Sequence, residues 1–262
     1  MSVDSEIQYA PARLDLAGKV ALVTGGTRGI GRGIVLAMAA AGAKVIVSGR
    51  DRSNAEDVVA ATRKVGTEGD LVVCDLFDDD AVDTLISDTV ALAGKLDILV
   101  NNAGIDADGP MIDYDLETWR RVIRFDLEVP MRLSQQAARH FVANGGGSIV
   151  NIASVLSQVA VAEAGAYTPA KHGVLGLTRT MALELGKQGV RVNCVAPGLI
   201  QTDMTNNLWG SEAGMAYARD RIPCGRIGQP RDIGGAVVFL ASEAADFIHG
   251  QVIVVDGGSL AT

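Results

Sequence analysis

Val20-Ala21-Leu22-Val23-Thr24-Gly25-Gly26-Thr27-Arg28-Gly29-Ile30-Gly31 opens the first regular part of the chain. The four apolar residues predict a strand and the glycines a turn. The helix-period residues Ile34, Val35 and Met38 predict a helix directly afterwards. Gly25 suits the tight turn out of the strand. Gly29 lets backbone approach a pyrophosphate, and Gly31 lets the helix pack close to the sheet. The helix N-terminus then offers free N–H groups and the positive end of a dipole to an anion. A junction of this kind predicts a dinucleotide site.

Six further apolar runs follow: Val45–Val47, Leu71–Cys74, Ile98–Val100, Ile149–Ile152, Val190–Val195 and Val252–Val255. They are β-rich and do not alternate with polar residues, as expected of strands buried on both faces of a parallel sheet. Segments between them have helical period, such as Val82, Leu85, Ile86 and Val90. Strand alternating with helix predicts an α/β class: a doubly wound, parallel, seven-stranded sheet with helices on both faces. One sheet of this size leaves no room for a second domain, so residues 14–262 are expected to form one unit behind a loose N-terminal extension, 1–13. The segment 201–231 lacks a clear period. It is expected to form a lid-like excursion, with Met204 and Trp209 placed either to line an apolar pocket or to pack the loop down.

The composition narrows the function classes. The 262 residues are 48% hydrophobic and 21% charged, with a formal net charge of −8. No basic stripe is visible, so no nucleic-acid partner is expected. Residues 1–13 lack the apolar stretch of a signal peptide, and no run reaches the length of a membrane span, so a cytoplasmic protein with no membrane partner is expected. Cys74, Cys194 and Cys224 form no C-x-x-C pair, which argues against disulfides and zinc. His140, His172 and His249 form no visible triad or metal set. Arg219, Arg221 and Arg226 could attract an acidic substrate, but solvated or paired side chains are the simpler expectation.

The fourth strand runs into Asn101-Asn102-Ala103-Gly104, a polar glycine turn at the edge of a parallel sheet where ligands bind. Further on, Tyr167-Thr168-Pro169-Ala170-Lys171 places a phenol and an ammonium four residues apart, on one face of a helix. The positive charge favours phenolate and brings the phenol toward use as a general acid or base near neutral pH. Ser154 ends the fifth-strand segment and offers a hydroxyl to a reacting oxygen.

Thr24-Gly25-x-x-x-Gly29-Ile30-Gly31, the Asn-Asn-Ala-Gly turn, Ser154 and the Tyr167/Lys171 pair together resemble the classical short-chain dehydrogenase/reductase family. Pro197-Gly198-Leu199-Ile200-Gln201-Thr202 and Val254-Val255-Asp256-Gly257-Gly258 also match, and the likeness spans about Leu16 to Gly258. The resemblance implies a Rossmann fold and a nicotinamide-dependent enzyme that interconverts a ketone and a secondary alcohol. It assigns the proton to Tyr167, the substrate oxygen to Ser154, and both the tuning of Tyr167 and the nicotinamide ribose to Lys171. For the nucleotide it implies Gly25, Thr27, Arg28, Gly29, Ile30 and Gly31; Asp75 and Leu76 at the adenine; Asn102, Ala103 and Gly104; and Pro197, Ile200 and Thr202 near the carboxamide, besides Tyr167 and Lys171. It also implies a homotetramer, with a dimer second, through the helical segments Asp115–Ala143 and Gly165–Lys187.

Cofactor choice turns on the end of the second strand, Ser48-Gly49-Arg50. An acid here would accept from a ribose 2′-OH and repel a 2′-phosphate. Gly49 takes that place, and Arg50 with Arg28 could bind a phosphate dianion, so NADP(H) is favoured over NAD(H). Asp51 could instead pair with Arg50. The small-molecule substrate stays open: a 3-oxoacyl thioester, a sugar, a steroid or a simple ketone. The 3-oxoacyl-carrier-protein reductases are a near resemblance, but the basic residues that dock an acidic carrier are missing at Asn144-Gly145 and Leu183. Small or hydrophobic carbonyls are therefore placed first. One departure stands out. In Trp119-Arg120-Arg121-Val122-Ile123-Arg124-Phe125-Asp126-Leu127, Asp126 takes the place of an Asn that the family counts with its catalytic residues. An ionised Asp126 could weaken the effect of Lys171 on Tyr167, burial could keep it neutral and close to an Asn in behaviour, or its side chain could only cap local backbone. The rival reading is a dinucleotide-sensing binding protein with little catalysis.

Overall fold

A computed structural model describes residues 12–206 and 211–261. Seven parallel strands form one sheet in the order β3-β2-β1-β4-β5-β6-β7. They are β1 (Val20–Thr24), β2 (Lys44–Gly49), β3 (Asp70–Val73), β4 (Ile98–Asn101), β5 (Gly147–Ile152), β6 (Val190–Pro197) and β7 (Val252–Val255). Each of the seven apolar runs carries a strand. The chain lays down β1, β2 and β3 outward in one direction, then returns to place β4 on the other side of β1. That reversal opens a crevice at the carboxyl ends of β1 and β4, the place where such sheets bind ligands.

The unbroken apolar runs follow from burial on two faces. Alternate residues Ala21, Val23, Val45 and Val47 face a core shared with α1 (Gly29–Ala40), α2 (Arg52–Val65) and Pro230–Ala241, here α8. Val20, Leu22, Ile46 and Leu99 face the opposite core, against α3 (Asp79–Ala93) and α5 (Val129–Ala143). Helices α1 and α8 pack at small residues: a Cβ on Gly33 would lie 2.6 Å from the Pro230 carbonyl carbon, and one on Gly234 2.5 Å from Ala37 Cβ.

The segment Asp115–Ala143 is more structured than one plain helix. It comprises α4 (Leu116–Ile123), a π-helical turn over Arg124–Glu128, and α5. Helix α6 (Tyr167–Leu185) follows β5, and a 3-10 turn extends it over Gly186–Gln188. In the lid-like segment, α7 (Glu212–Arg221) is a helix of ten residues, and α8 already begins at Pro230, where Gln229 and Asp232 form a capping box. Trp209 and most of the expected N-terminal extension lie outside the described residues. Among the described residues, no helix is long and apolar enough to cross a membrane.

Candidate active site

Thr24 ties the two turns of the crevice together. It is 1% exposed, and its Oγ1 accepts from Asn102 N–H at 3.0 Å and Ala103 N–H at 3.1 Å. The Asn102 amide donates in return to the carbonyls of Thr24 and Gly25, at 2.9 and 3.2 Å. The glycine turn is shaped for close approach. Gly25 and Gly29 have φ of 60° and 49°, and a Cβ on Gly31 would stand 2.1 Å from the Gly25 carbonyl oxygen. Helix α1 has no side-chain N-cap and no acid in its first turn. Its first N–H groups are left for an anion, so the turn fits a pyrophosphate.

The ribose-discriminating corner agrees with a 2′-phosphate. Asp51 does not pair with Arg50, because it caps α2: its carboxylate accepts from both Asn54 N–H and the Asn54 amide, each at 3.0 Å. Arg50 is exposed. Arg28 is exposed too, with only a 3.7 Å ion pair to Asp203. Gly49 lies against Thr27, since a Cβ there would be 2.6 Å from the Thr27 methyl. At the expected adenine position, Asp75 accepts from Phe77 N–H at 3.0 Å. The side chain of Leu76 is buried in the core, which leaves only its backbone available to a nucleotide. Ile30 is half-buried and also packs toward the core. Across the crevice, Pro197 ends β6, Ile200 is buried, and Thr202 lies under the glycine turn, its methyl 3.3 Å from where a Gly29 Cβ would stand.

Ser154, Tyr167 and Lys171 come together at the ends of β5 and α6. Ser154 heads the 3-10 turn Val155–Ser157 and accepts from Leu156 N–H at 3.1 Å. Tyr167 is the first residue of α6, and Lys171, one turn on, is 4% exposed with its Nζ 5.2 Å from the phenol ring centroid. The ammonium donates to the Ile152 carbonyl at 3.4 Å and lies 3.0 Å from Asp126 Oδ2. The other oxygen of Asp126 accepts from Ile105 N–H at 2.8 Å, just beyond the Asn-Asn-Ala-Gly turn. Burial pushes the Tyr167 phenol above its ordinary pKa; the Lys171 charge acts against that rise, the carboxylates of Asp126 and Asp106 add to it, and a hydrogen bond with Ser154 opposes it. Burial works against charge on Lys171, but Asp126, with smaller help from Tyr167 and Cys194, outweighs it and the amine is raised overall. Burial likewise pushes the Asp126 carboxyl up, with Lys171 and the Ile105 N–H pulling the other way.

Two features were not read from the sequence. Asn101, Ser134, Asn151 and Thr178 form a buried chain beneath the site: the Asn101 amide donates to Ser134 Oγ and Asn151 Oδ1, both at 2.8 Å, and the Asn151 amide to Thr178 Oγ1 at 2.9 Å. Polar residues inside otherwise apolar strands were the available signal. The mouth of the site is the second feature. Gly109 N–H donates to the Glu163 carbonyl at 2.7 Å, joining the loop after β4 to the loop after β5. Glu163 has a φ of 64°, unlike every other described non-glycine residue. Residues 102–115 and 153–166 include Asp106, Asp108, Asp113, Asp115 and Glu163 but no Lys, Arg or His. Arg226, on the lid-like segment, is held by Asp232 at 2.7 Å.

A family profile described as enoyl-(acyl carrier protein) reductase matches residues 25–259. The chain is 40% identical over 247 residues to a 2-dehydro-3-deoxy-D-gluconate 5-dehydrogenase of Escherichia coli (strain K12), covering 94% of this chain and 97% of that protein. It is 41% identical over 245 residues to a 3-oxoacyl-[acyl-carrier-protein] reductase of Synechocystis sp., covering 93% and 97%. Among solved structures, a gluconate 5-dehydrogenase from Burkholderia cenocepacia J2315, in complex with NADP and tartrate, superposes with a TM-score of 0.90 at 35% identity over 96% of this chain and 98% of that one.

Proposed function

The chain belongs to the short-chain dehydrogenase/reductase family, and from that premise we propose that Tyr167, Ser154 and Lys171 carry out its chemistry in the cytoplasm, on a small carbonyl or alcohol. It is an NADP(H)-dependent oxidoreductase that interconverts a carbonyl and a secondary alcohol. The observation that carries the site assignment is the Lys171 ammonium, buried one helical turn from the Tyr167 phenol, with Ser154 beside them.

The nicotinamide, when bound, supplies or accepts the hydride. Ser154 holds the substrate oxygen by its hydroxyl, and Tyr167 gives that oxygen a proton in reduction or takes one in oxidation. Lys171 supplies the nearby positive charge and a donor for the ribose. The glycine turn from Gly25 to Gly31 holds the pyrophosphate by backbone N–H groups. Thr27, Asn102, Ala103 and Gly104 wall the crevice, and Arg28 and Arg50 hold a 2′-phosphate.

The mouth supports small neutral or hydrophobic substrates over anionic ones. Its two loops bring five carboxylates and no cation, together with the exposed apolar side chains of Met111, Ile112, Val159 and Val161. A carboxylate substrate or an acidic carrier protein would approach against like charge. A homotetramer is supported by exposed apolar groups away from the mouth: Leu183 is 85% exposed on α6, and Phe247 103% exposed ahead of β7. Free buried thiols at Cys74 and Cys194 suit a reducing compartment.

The test is turnover of ketones, keto esters, sugars and steroids by the purified protein with NADPH and with NADH. Wild-type protein is expected to reduce at least one neutral ketone, and Tyr167→Phe to lose at least about a hundredfold in kcat/KM while still binding NADPH. Nucleotide binding without any turnover would overturn the reading in favour of a dinucleotide sensor. Equal activity in Tyr167→Phe would remove the phenol from the mechanism.

A further inference from the structure

Asp126 is fully buried and has a different partner on each carboxylate oxygen. Oδ1 is committed to Ile105 N–H at 2.8 Å, and Oδ2 faces Lys171 Nζ at 3.0 Å. The π-helical turn Arg124–Glu128 carries it to this place. Between an amine and a carboxylate whose ordinary pKa values differ by about six units, a shared proton stays on the amine. The ammonium is then held between Asp126 and the Ile152 carbonyl.

We propose that Asp126 is a positioning residue whose direct, buried ion pair clamps Lys171 as an ammonium and cancels enough of its charge to keep Tyr167 a phenol near neutral pH, fitting the site to donate a proton to a carbonyl rather than remove one from an alcohol. The proposal rests on Tyr167 being the proton-transfer group. In reduction, hydride adds to the carbonyl carbon, the oxygen takes the Tyr167 proton, and solvent restores that proton to the phenolate. Oxidation runs in reverse and needs the phenolate first, the species the clamp disfavours.

The other groups facing the pair do not supply the missing charge. Besides Asp126 and Tyr167, Lys171 faces the Cys194 thiol on β6, which burial pushes up to about 12 and so leaves neutral. Tyr167 faces the uncharged Ser154 hydroxyl and Asp106, a second carboxylate that acts in the same sense as Asp126. Lys171 is thus the cation at the phenol, and Asp126 is the anion in contact with it.

Asp126→Asn preserves size and leaves an oxygen for Ile105 N–H. That orientation turns the amide NH₂ toward Lys171 and frees the ammonium to act on the phenol. The rise of kcat/KM with pH for alcohol oxidation is expected to move about one unit lower in Asp126→Asn, with reduction near neutral pH little changed. A readout independent of turnover is the phenolate absorbance, taken as the difference between proteins with Tyr167 and with Tyr167→Phe. In the wild-type background Tyr167 is expected to ionise above the ordinary phenol range, and in Asp126→Asn lower. Asp106→Asn is expected to shift the phenol in the same direction by less. Superimposed oxidation profiles, or a wild-type Tyr167 already ionised near neutral pH, would overturn the proposal, and the second result needs no Asp126 variant. A wild-type protein without turnover would defeat the oxidoreductase reading instead, and the phenol titration would still judge the clamp.

Discussion

Replacing Thr24 by Val tests whether the hydroxyl at the end of β1 assembles the nucleotide crevice. The swap preserves shape and exchanges the Oγ1 for a methyl. In the native protein that oxygen accepts from the backbone N–H groups of Asn102 and Ala103, at 3.0 and 3.1 Å, and donates to the Val100 carbonyl at 3.4 Å. Val strands both N–H donors. Each buried unsatisfied donor costs about 1–3 kcal/mol. Asn102 and Ala103 are only half-buried, so the lower half of that range applies, for a total of about 2–4 kcal/mol. In a domain of this size that lowers the melting temperature by roughly 5–15 °C. Thr24→Ser keeps the oxygen and loses one methyl, a cost of about 1 kcal/mol. The order of melting by calorimetry is therefore Thr above Ser above Val. NADPH affinity follows the same order, because the Asn102 amide that grips the Gly25 carbonyl hangs on this bond. A Val variant that melts with or above the Ser variant would refute the reasoning, since packing would then outweigh the hydroxyl.

Two other expectations can be checked directly. Arg50→Ala is expected to weaken NADPH binding by about tenfold, the low end for a charge-assisted bond at an exposed site, with NADH binding nearly unchanged; tighter binding of NADH than NADPH by the wild-type protein in titration calorimetry would contradict it. Light scattering is expected to give four times the 27.2 kDa chain mass, with Leu183→Lys shifting the population to smaller species; a wild-type monomer at micromolar concentration would refute the assembly.

The strands were legible because a parallel strand is buried on both faces. Val20 and Leu22 feed one core while Ala21 and Val23 feed the other, so the whole run must be apolar. The glycine turn was legible for a related reason: a Cβ at Gly31 has nowhere to go, and the residue type records the constraint. Hydrogen-bonded roles left weaker traces. Asp51 beside Arg50 could be read as its partner, and only the backbone of α2 shows it capping the helix. Leu76 was placed at the adenine by its position after β3, but its side chain belongs to the core. Asn101 was read as part of the turn after β4, and Asn151 lay unremarked inside an apolar run, although they join β4 and β5 to Ser134 and Thr178 under the site.

Asp126 shows where sequence reading stops for a physical reason. The change from Asn to Asp is visible in the chain, and two opposite consequences follow from chemistry alone: a live charge or a buried neutral acid. Deciding between them requires knowing what lies within about 4 Å, because both desolvation and ion pairing act at that range. The amphipathic pattern from Leu116 to Ala143 reads as one helix, and nothing in it marks the π turn that sets Asp126 toward Lys171. Once the ammonium is found 3.0 Å from Oδ2 and the Ile105 N–H bonded to Oδ1, the carboxylate has an ion-pair partner on one oxygen and a hydrogen-bond donor on the other, and desolvation no longer acts uncompensated. The same contact that opposes neutralisation of Asp126 draws charge away from the phenol. The pH at which the phenol gives up its proton is therefore the property this substitution is expected to move.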